Sequence, residues 1–140
     1  MAGIPFAKMS GLGNDFIIVD NRSGVLDGLD LHELARRLCT RRHSLGADEL
    51  MVIEKAVGEG DFTLRTFNPD GNEVEMCGNA ARCVARYAYA KKVAGPTMTI
   101  LTRGGPVRAW ANDEAARIQV QLSAPPQLNI SLIVDGEQVT

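Results

Sequence analysis

The stretch from Asn68 to Cys83, N-P-D-G-N-E-V-E-M-C-G-N-A-A-R-C, constrains the fold more than any other part of the chain. Asn68-Pro69-Asp70-Gly71 is dense in turn formers. Pro69 pre-sets φ, Gly71 tolerates positive φ, and Asn68 and Asp70 can bond their own backbone. After Gly78 the apolar residues Ala81, Val84, Ala85 and Ala88 fall at i, i+3, i+4 and i+7, the period of a helix with one buried stripe. The pattern predicts a strand ending at Phe67, a turn, an extended piece over Glu73 to Met76, and a helix from Gly78 to about Lys92. That helix closes near Gly95-Pro96, with Lys91 and Lys92 complementing its negative end. Cys77 then stands at the positive end, where unbonded N–H groups and the helix dipole favour a thiolate. The N–H groups of Gly78, Asn79 and Ala80 suit an anion such as a carboxylate, and Gly78 lets it come close to the backbone.

Before that stretch, Ile4 to Ser10 and Phe16 to Asp20 read as strands joined by Gly11-Leu12-Gly13-Asn14-Asp15. The loop opens G-x-G, but Phe16 occupies the third glycine position of a dinucleotide fingerprint and no helix pattern follows, so that motif is rejected. Asn14 is either a turn former or an amide aimed into a site. Asn21 to Leu29 reads as a loop. Asp30 and Glu33 have the spacing of a capping-box variant, opening a helix whose buried stripe is Leu31, Leu34, Ala35 and Leu38. Cys39 reads as a small buried side chain late in it, and His32 as a surface residue. Arg36, Arg37, Arg41 and Arg42 read as a solvated helix face.

Gly46-Ala47-Asp48 is a turn, Leu50 to Glu54 a short apolar strand, and Phe62 to Phe67 another. Past the second helix, Thr97 to Thr102 and Val107 to Ala111 read as a hairpin across Arg103-Gly104-Gly105-Pro106. Asn112-Asp113-Glu114 turns the chain into Arg117 to Leu122, with Ile118, Val120 and Leu122 inward. Ala124-Pro125-Pro126-Gln127 is the best linker. Ser131 to Val134, Asp135-Gly136 and Glu137 to Thr140 read as a hairpin that stops as it opens. The expected organisation is therefore a lobe over 1–124, then a linker and the start of a hairpin over 125–140, leading to a second lobe in a longer protein.

The fold class expected is α+β, a mostly antiparallel sheet with two helices. The 140 residues with 45% hydrophobic and 23% charged content suit one globular domain. A net charge of −2, with both signs mixed, gives no nucleic-acid footprint. No run approaches the roughly 18 apolar residues of a membrane span, and the N-terminus lacks a signal-peptide layout. Neither nucleic acid nor membrane is expected as a partner, and the cytoplasm is the expected location. Three cysteines, an odd number, argue for reduced thiols.

Cys77, taken alone, is open to two readings: a small buried residue or a functional thiol. Cys83 follows six residues later, about 120° around the helix, and shares no face with it. Cys77, Cys83 and His43 lack the paired pattern of a zinc site, so no metal is expected. Asp70, Glu73 and Glu75 read as turn and strand-surface carboxylates ahead of acid–base groups. Asn68, like Asn14, is a turn former first and a site amide second.

G-L-G-N-D-F at Gly11 to Phe16, G-A-D-E-L at Gly46 to Leu50, F-N-P-D-G at Phe67 to Gly71 and C-G-N-A-A-R-C at Cys77 to Cys83 occur in an order that resembles diaminopimelate epimerase. The resemblance covers the whole chain but only the first of that family's two lobes. It implies a sheet curved around the helix from Gly78. It also implies interconversion of LL- and meso-diaminopimelate without pyridoxal phosphate or any other cofactor. Two thiols would face opposite sides of the α-carbon, one removing the proton and the other returning one. Cys77 matches the first-lobe thiol. Asn14 and Asn68 match residues that hydrogen-bond the substrate, and Gly78 and Asn79 match the cradle for a substrate carboxylate. Two positions depart from the family. Glu49 stands where glutamine is frequent, and an acid beside a dicarboxylate repels it unless protonated or paired, so Glu49 is a conditional ligand. Ala80 stands where glycine is common, and its methyl is expected to narrow the cradle.

The partners implied are a small amino-acid substrate, the second lobe of the same protein and, in a homodimer, a second copy. One lobe holds one base, so the chain alone is expected to be inactive. A sister amino-acid racemase of the same superfamily and a ligand-binding module without turnover are the alternatives.

Overall fold

The computed structural model describes residues 3–11, 13–40, 46–75, 78–120, 132–134 and 137–139. An eight-stranded sheet runs in the order β1 (Ala7–Gly11), β2 (Asn14–Asp20), β3 (Glu49–Glu54), β4 (Phe62–Phe67), β6 (Thr97–Thr102), β7 (Gly105–Ala111), β8 (Ala116–Val120). The short β5 (Glu73–Val74) pairs with the end of β4. Two helices complete the lobe, α1 (Leu31–Cys39) and α2 (Gly78–Ala90). Leu132–Val134 and Glu137–Val139 form β9 and β10, an antiparallel pair in a sheet of their own. The class is α+β, with a curled sheet.

Two pairings in the large sheet are parallel, β2 with β3 and β4 with β6; the others are antiparallel. Each parallel pair is joined through a helix. The strands of the two pairs run in opposite directions, because β3 and β4 are antiparallel. Both crossovers step the same way across the sheet. Right-handed crossovers therefore put α1 and α2 on opposite faces. The core is divided accordingly. Phe16, Ile18, Met51, Ile53, Phe62 and Leu64 pack with α2, while Ile17, Val19, Leu50, Val52 and Phe67 pack with α1. Strands β2 and β3 are buried on both faces, which is why they read as apolar runs without alternation.

Several bounds differ from the sequence expectation, each for a local reason. The first strand begins at Ala7, three residues after Ile4, and β2 begins at Asn14, two before Phe16. Gly13, at φ +87°, makes the turn tight enough for Asn14 to pair with Gly11 and Asp15 with Ser10. Asp30 caps α1, accepting from the N–H of His32 and Glu33. Glu33 does not close a capping box; its carboxylate goes to Arg36 and Arg37, one turn on. The loop from Asn21 to Leu29 carries a core residue, Leu26, held by its N–H donating to Asn21 Oδ1. Leu122, Ala124-Pro125-Pro126-Gln127, Ser131, Asp135-Gly136 and Thr140 lie outside the described residues, as do Arg41, Arg42 and His43.

Helix α2 stops at Ala90, not Lys92. Lys92 N–H donates to Tyr89 O at 3.2 Å and Val93 N–H to Ala88 O at 2.8 Å, the double bond of a Schellman closure. Lys92 occupies its left-handed position at φ +59°, normally a glycine's. Glycine at this position relieves the Cβ strain, roughly 1 kcal/mol. Lys92→Gly is expected to raise the denaturant midpoint with an unchanged slope, and a lowered midpoint would contradict this account of the helix end.

Candidate active site

Three neighbouring strands share one end of the sheet: β2 and β3 begin there and β4 finishes there. In register Phe16 lies opposite Glu49, and Leu50 opposite Phe67. Asn14, Glu49 and Asn68 therefore share one end of β2, β3 and β4. Alternation places Asn14 and Glu49 on the face of Phe16 and Met51, the face that α2 covers. Thr66 shares that face and is the one polar side chain fully buried among the described residues. It pairs with Val74 of β5. The chain thus leaves the end of β4, returns beside it, and enters α2 at Gly78. At the same end Gly11 lies so close to α2 that a Cβ on it would sit 3.2 Å from Cys83 Sγ.

Backbone clasps hold these strand ends. Asp48 Oδ2 accepts from Asp15 N–H at 2.9 Å, and Asp15 Oδ1 accepts from Asp48 N–H at 3.0 Å. This reciprocal pair ties the residue after Asn14 to the residue before Glu49. The Asn68 turn closes on itself: Gly71 N–H donates to Asn68 O, Asn68 N–H to Asn72 O, and Asn72 N–H to Asp70 Oδ1. Helix α1 grips it from outside. His32 Nδ1 lies 2.7 Å from Gly71 O, and Arg36 Nε donates to Asp70 O at 3.0 Å. Strand β5 is fixed by Arg65, whose guanidinium takes both oxygens of Glu73, at 3.1 and 2.9 Å, and by Arg103 donating to Glu73 O. Arg65 holds the Glu73 carboxyl below the usual glutamate range, against the opposing effect of partial burial. Asp70 and Glu73 are thus turn and strand-surface groups. Arg36, read from sequence as part of a solvated face, is exposed but anchors a turn, and so does His32.

Asn14, Asn68 and Asn79 are half-buried. Among the described residues their side-chain amides make no hydrogen bond within the protein. Glu49 is half-buried at the sheet end it shares with Asn14 and Asn68, with Oε2 sealed from solvent. Gly78 is exposed, and a Cβ there would meet Ile118 Cδ1 at an ordinary 3.7 Å, so packing does not require glycine. No acid occupies the first turn of α2 to neutralise its positive end. Ala80, whose methyl was expected to narrow the cradle, lies on the core side of α2. It is fully buried in the cluster beneath α2, so its methyl is spent on the core. Cys77 lies outside the described residues; in sequence it immediately precedes Gly78. Cys39 and Cys83 are buried at 3% and 6% exposure, each in a different core cluster.

The sequence expectation included the helix start and named the three amides as candidates, but it did not anticipate the backbone bonds of Asp15, Asp48, His32 and Arg36 beside Asn14, Glu49 and Asn68. Their partners lie about 33 to 39 residues away, and only the fold brings them together. A weak signal did exist in the pairing of Gly-Asn-Asp with Gly-Ala-Asp, two loops ending in an acid that can bond backbone.

The diaminopimelate epimerase family model matches residues 6–127. The chain belongs to this family. The diaminopimelate epimerase of Aquifex aeolicus is 34% identical over 142 residues, 96% of this chain and 51% of the relative. That of a Hydrogenobaculum species is 42% identical over 123 residues, 83% of this chain and 44% of the relative. The chain spans about half the length of the relatives it matches. A crystal structure of a hydroxyproline epimerase from Agrobacterium vitis, with bound trans-4-hydroxy-L-proline, superposes with a TM-score of 0.67 at 15% identity. The match covers 93% of this chain and 45% of that one, and it shows a shared fold.

Two stability measurements check the site's construction. Gly78→Ala is expected to keep or raise stability, by up to about 0.5 kcal/mol; a loss of about 1 kcal/mol or more would mark the glycine as structural. Because Glu73 titrates below its ordinary value, its pairing stabilises fully above the usual glutamate range and is lost as pH falls through the depressed value. Glu73→Gln is therefore expected to lower Tm near neutral pH and to lose less further Tm between about pH 6 and about pH 3. Parallel acid limbs for the two proteins would contradict the pairing.

Proposed function

We propose that this chain is the first lobe of an epimerase that interconverts LL- and meso-diaminopimelate, with Cys77 as one of two acid/base thiols. The observation that supports the reading is that the Asn14 and Asn68 amides, at one end of the sheet, and the Asn79 amide, at the start of α2, are all half-buried and unused by the fold among the described residues. Three donors and acceptors not used by the fold, beside backbone N–H groups at a positive helix end, suit an amino-acid carboxylate and its ammonium neighbour. Membership of the diaminopimelate epimerase family supports diaminopimelate as the substrate.

The chemistry follows from those groups. The Cys77 thiolate takes the α-proton and becomes a thiol. The electron pair left on the α-carbon delocalises into the α-carboxylate, where the N–H groups of Gly78 and Asn79 stabilise the developing charge. A thiol from the second lobe delivers a proton to the opposite face and becomes the thiolate. The reverse reaction exchanges the roles. No metal or organic cofactor takes part. Asn14 and Asn68 orient the substrate, and Glu49 joins them when its charge is protonated or paired. The second lobe, a homodimer and a cytoplasmic location belong to the same reading. Among the described residues no helix is long and apolar enough to cross a membrane.

The full-length protein is expected to exchange the α-proton of diaminopimelate with solvent deuterium, and Cys77→Ala to abolish both exchange and turnover. The 140-residue chain alone is expected to give neither at a useful rate. Cys77 is expected to alkylate faster than the buried Cys39 and Cys83; equal rates would contradict an activated thiol. Exchange confined to another amino acid would favour a sister racemase. Diaminopimelate binding with no exchange, untouched by Cys77→Ala, would favour a binding module.

A further inference from the structure

Asn68 makes no side-chain hydrogen bond within the described protein, so its direction is set by its backbone. That backbone belongs to a turn whose carbonyls point outward at α1. His32 Nδ1 lies 2.7 Å from Gly71 O. A carbonyl only accepts, so Nδ1 carries the proton and donates. The imidazole is also set edge-on against Phe67, with ring centroids 5.4 Å apart and planes at 88°. Arg36 Nε donates to Asp70 O at 3.0 Å. The fit is close: a Cβ on Gly71, which has φ +92°, would lie 2.8 Å from both Arg36 Nε and His32 O. The two residues sit one helical turn apart on the exposed side of α1 and reach consecutive carbonyls of one turn. Asp30 caps the helix two residues before His32, fixing the first turn from which that side chain projects.

We propose that His32 and Arg36 are positioning residues for substrate binding. They clamp the 68–72 turn to α1 and so hold the Asn68 amide in its ligand-binding direction. Neither residue touches substrate. This inference rests on the reading of Asn68 as a substrate ligand. The clamp explains why an exposed helix face donates to backbone carbonyls that water would otherwise satisfy. Its use is to fix a direction, since even a small misplacement of a binding group weakens binding out of proportion to the distance moved.

The test uses the full-length protein with His32→Leu, Arg36→Leu and His32→Asn, the last keeping a donor near the Nδ1 position. The first readout needs no activity: the Asn68 side-chain amide resonance, assigned by its loss in Asn68→Asp. Both leucine variants are expected to shift it and His32→Asn to return it towards the wild-type position. An unmoved resonance in both leucine variants overturns the clamp. The second readout is kinetic, on diaminopimelate. Each leucine variant is expected to raise KM about tenfold with kcat within about twofold, and His32→Asn to recover most of the KM. A wild-type KM in both leucine variants, or an equal loss of kcat in His32→Asn, overturns the positioning role. If the wild-type protein does not turn diaminopimelate over, the proposed function fails, and the Asn68 resonance still decides the clamp.

Discussion

Everything in this fold depends on two helical crossovers made by parallel strand pairs that run in opposite directions. Strands β2 and β3 point one way and β4 and β6 the other, so the crossover helices fall on opposite faces of one sheet. The central strands then have no solvent face. Phe16, Ile17, Ile18 and Val19 are all fully buried, as are Leu50 to Ile53. A single polar substitution anywhere in those runs would leave a buried group with no partner. The same arrangement leaves polar side chains to the strand ends, where Asn14, Glu49 and Asn68 stand.

The polar work at that edge is divided between two sets of residues. Asp15, Asp48, His32, Arg36 and Arg65 bond backbone or each other's charges and fix positions. Asn14, Asn68 and Asn79 are left without partners among the described residues. None of those three amides is spent on holding the strand ends and the helix start in place. Here the holding is done by neighbours one or a few residues away in sequence, or across the sheet. Gly78 fits the same division. The fold has room for a methyl there, at an ordinary 3.7 Å from Ile118 Cδ1, so Gly78 takes no part in holding the edge together.

What the sequence made legible, it did through local pattern. The stripe of Ala81, Val84, Ala85 and Ala88 located α2, and Asp30 located the start of α1, because capping and periodicity act within one or two turns. The hairpin across Arg103 and Gly104 was legible in the same way, with Gly105 at φ +115° entering the returning strand. Pairings between distant segments were not legible. Nothing local marks β2 and β3 as parallel neighbours, and nothing in Arg36 distinguishes a solvated arginine from one that grips a turn 34 residues away. The end of α2 was misplaced for a physical reason too. Lysine is a good helix former, and its use at a left-handed closing position reverses the usual signal. The buried side of Ala80 turned on how far the sheet curls around α2, which periodicity alone does not fix.

The most direct test of the account is a crystal structure of the full-length protein with an unreactive analogue of diaminopimelate. The account predicts one carboxylate of the analogue within hydrogen-bond distance of the N–H groups of Gly78 and Asn79, the Asn14 and Asn68 amides on the same molecule, and Cys77 Sγ facing its α-carbon. An analogue bound elsewhere, with the three amides turned to solvent, would contradict it.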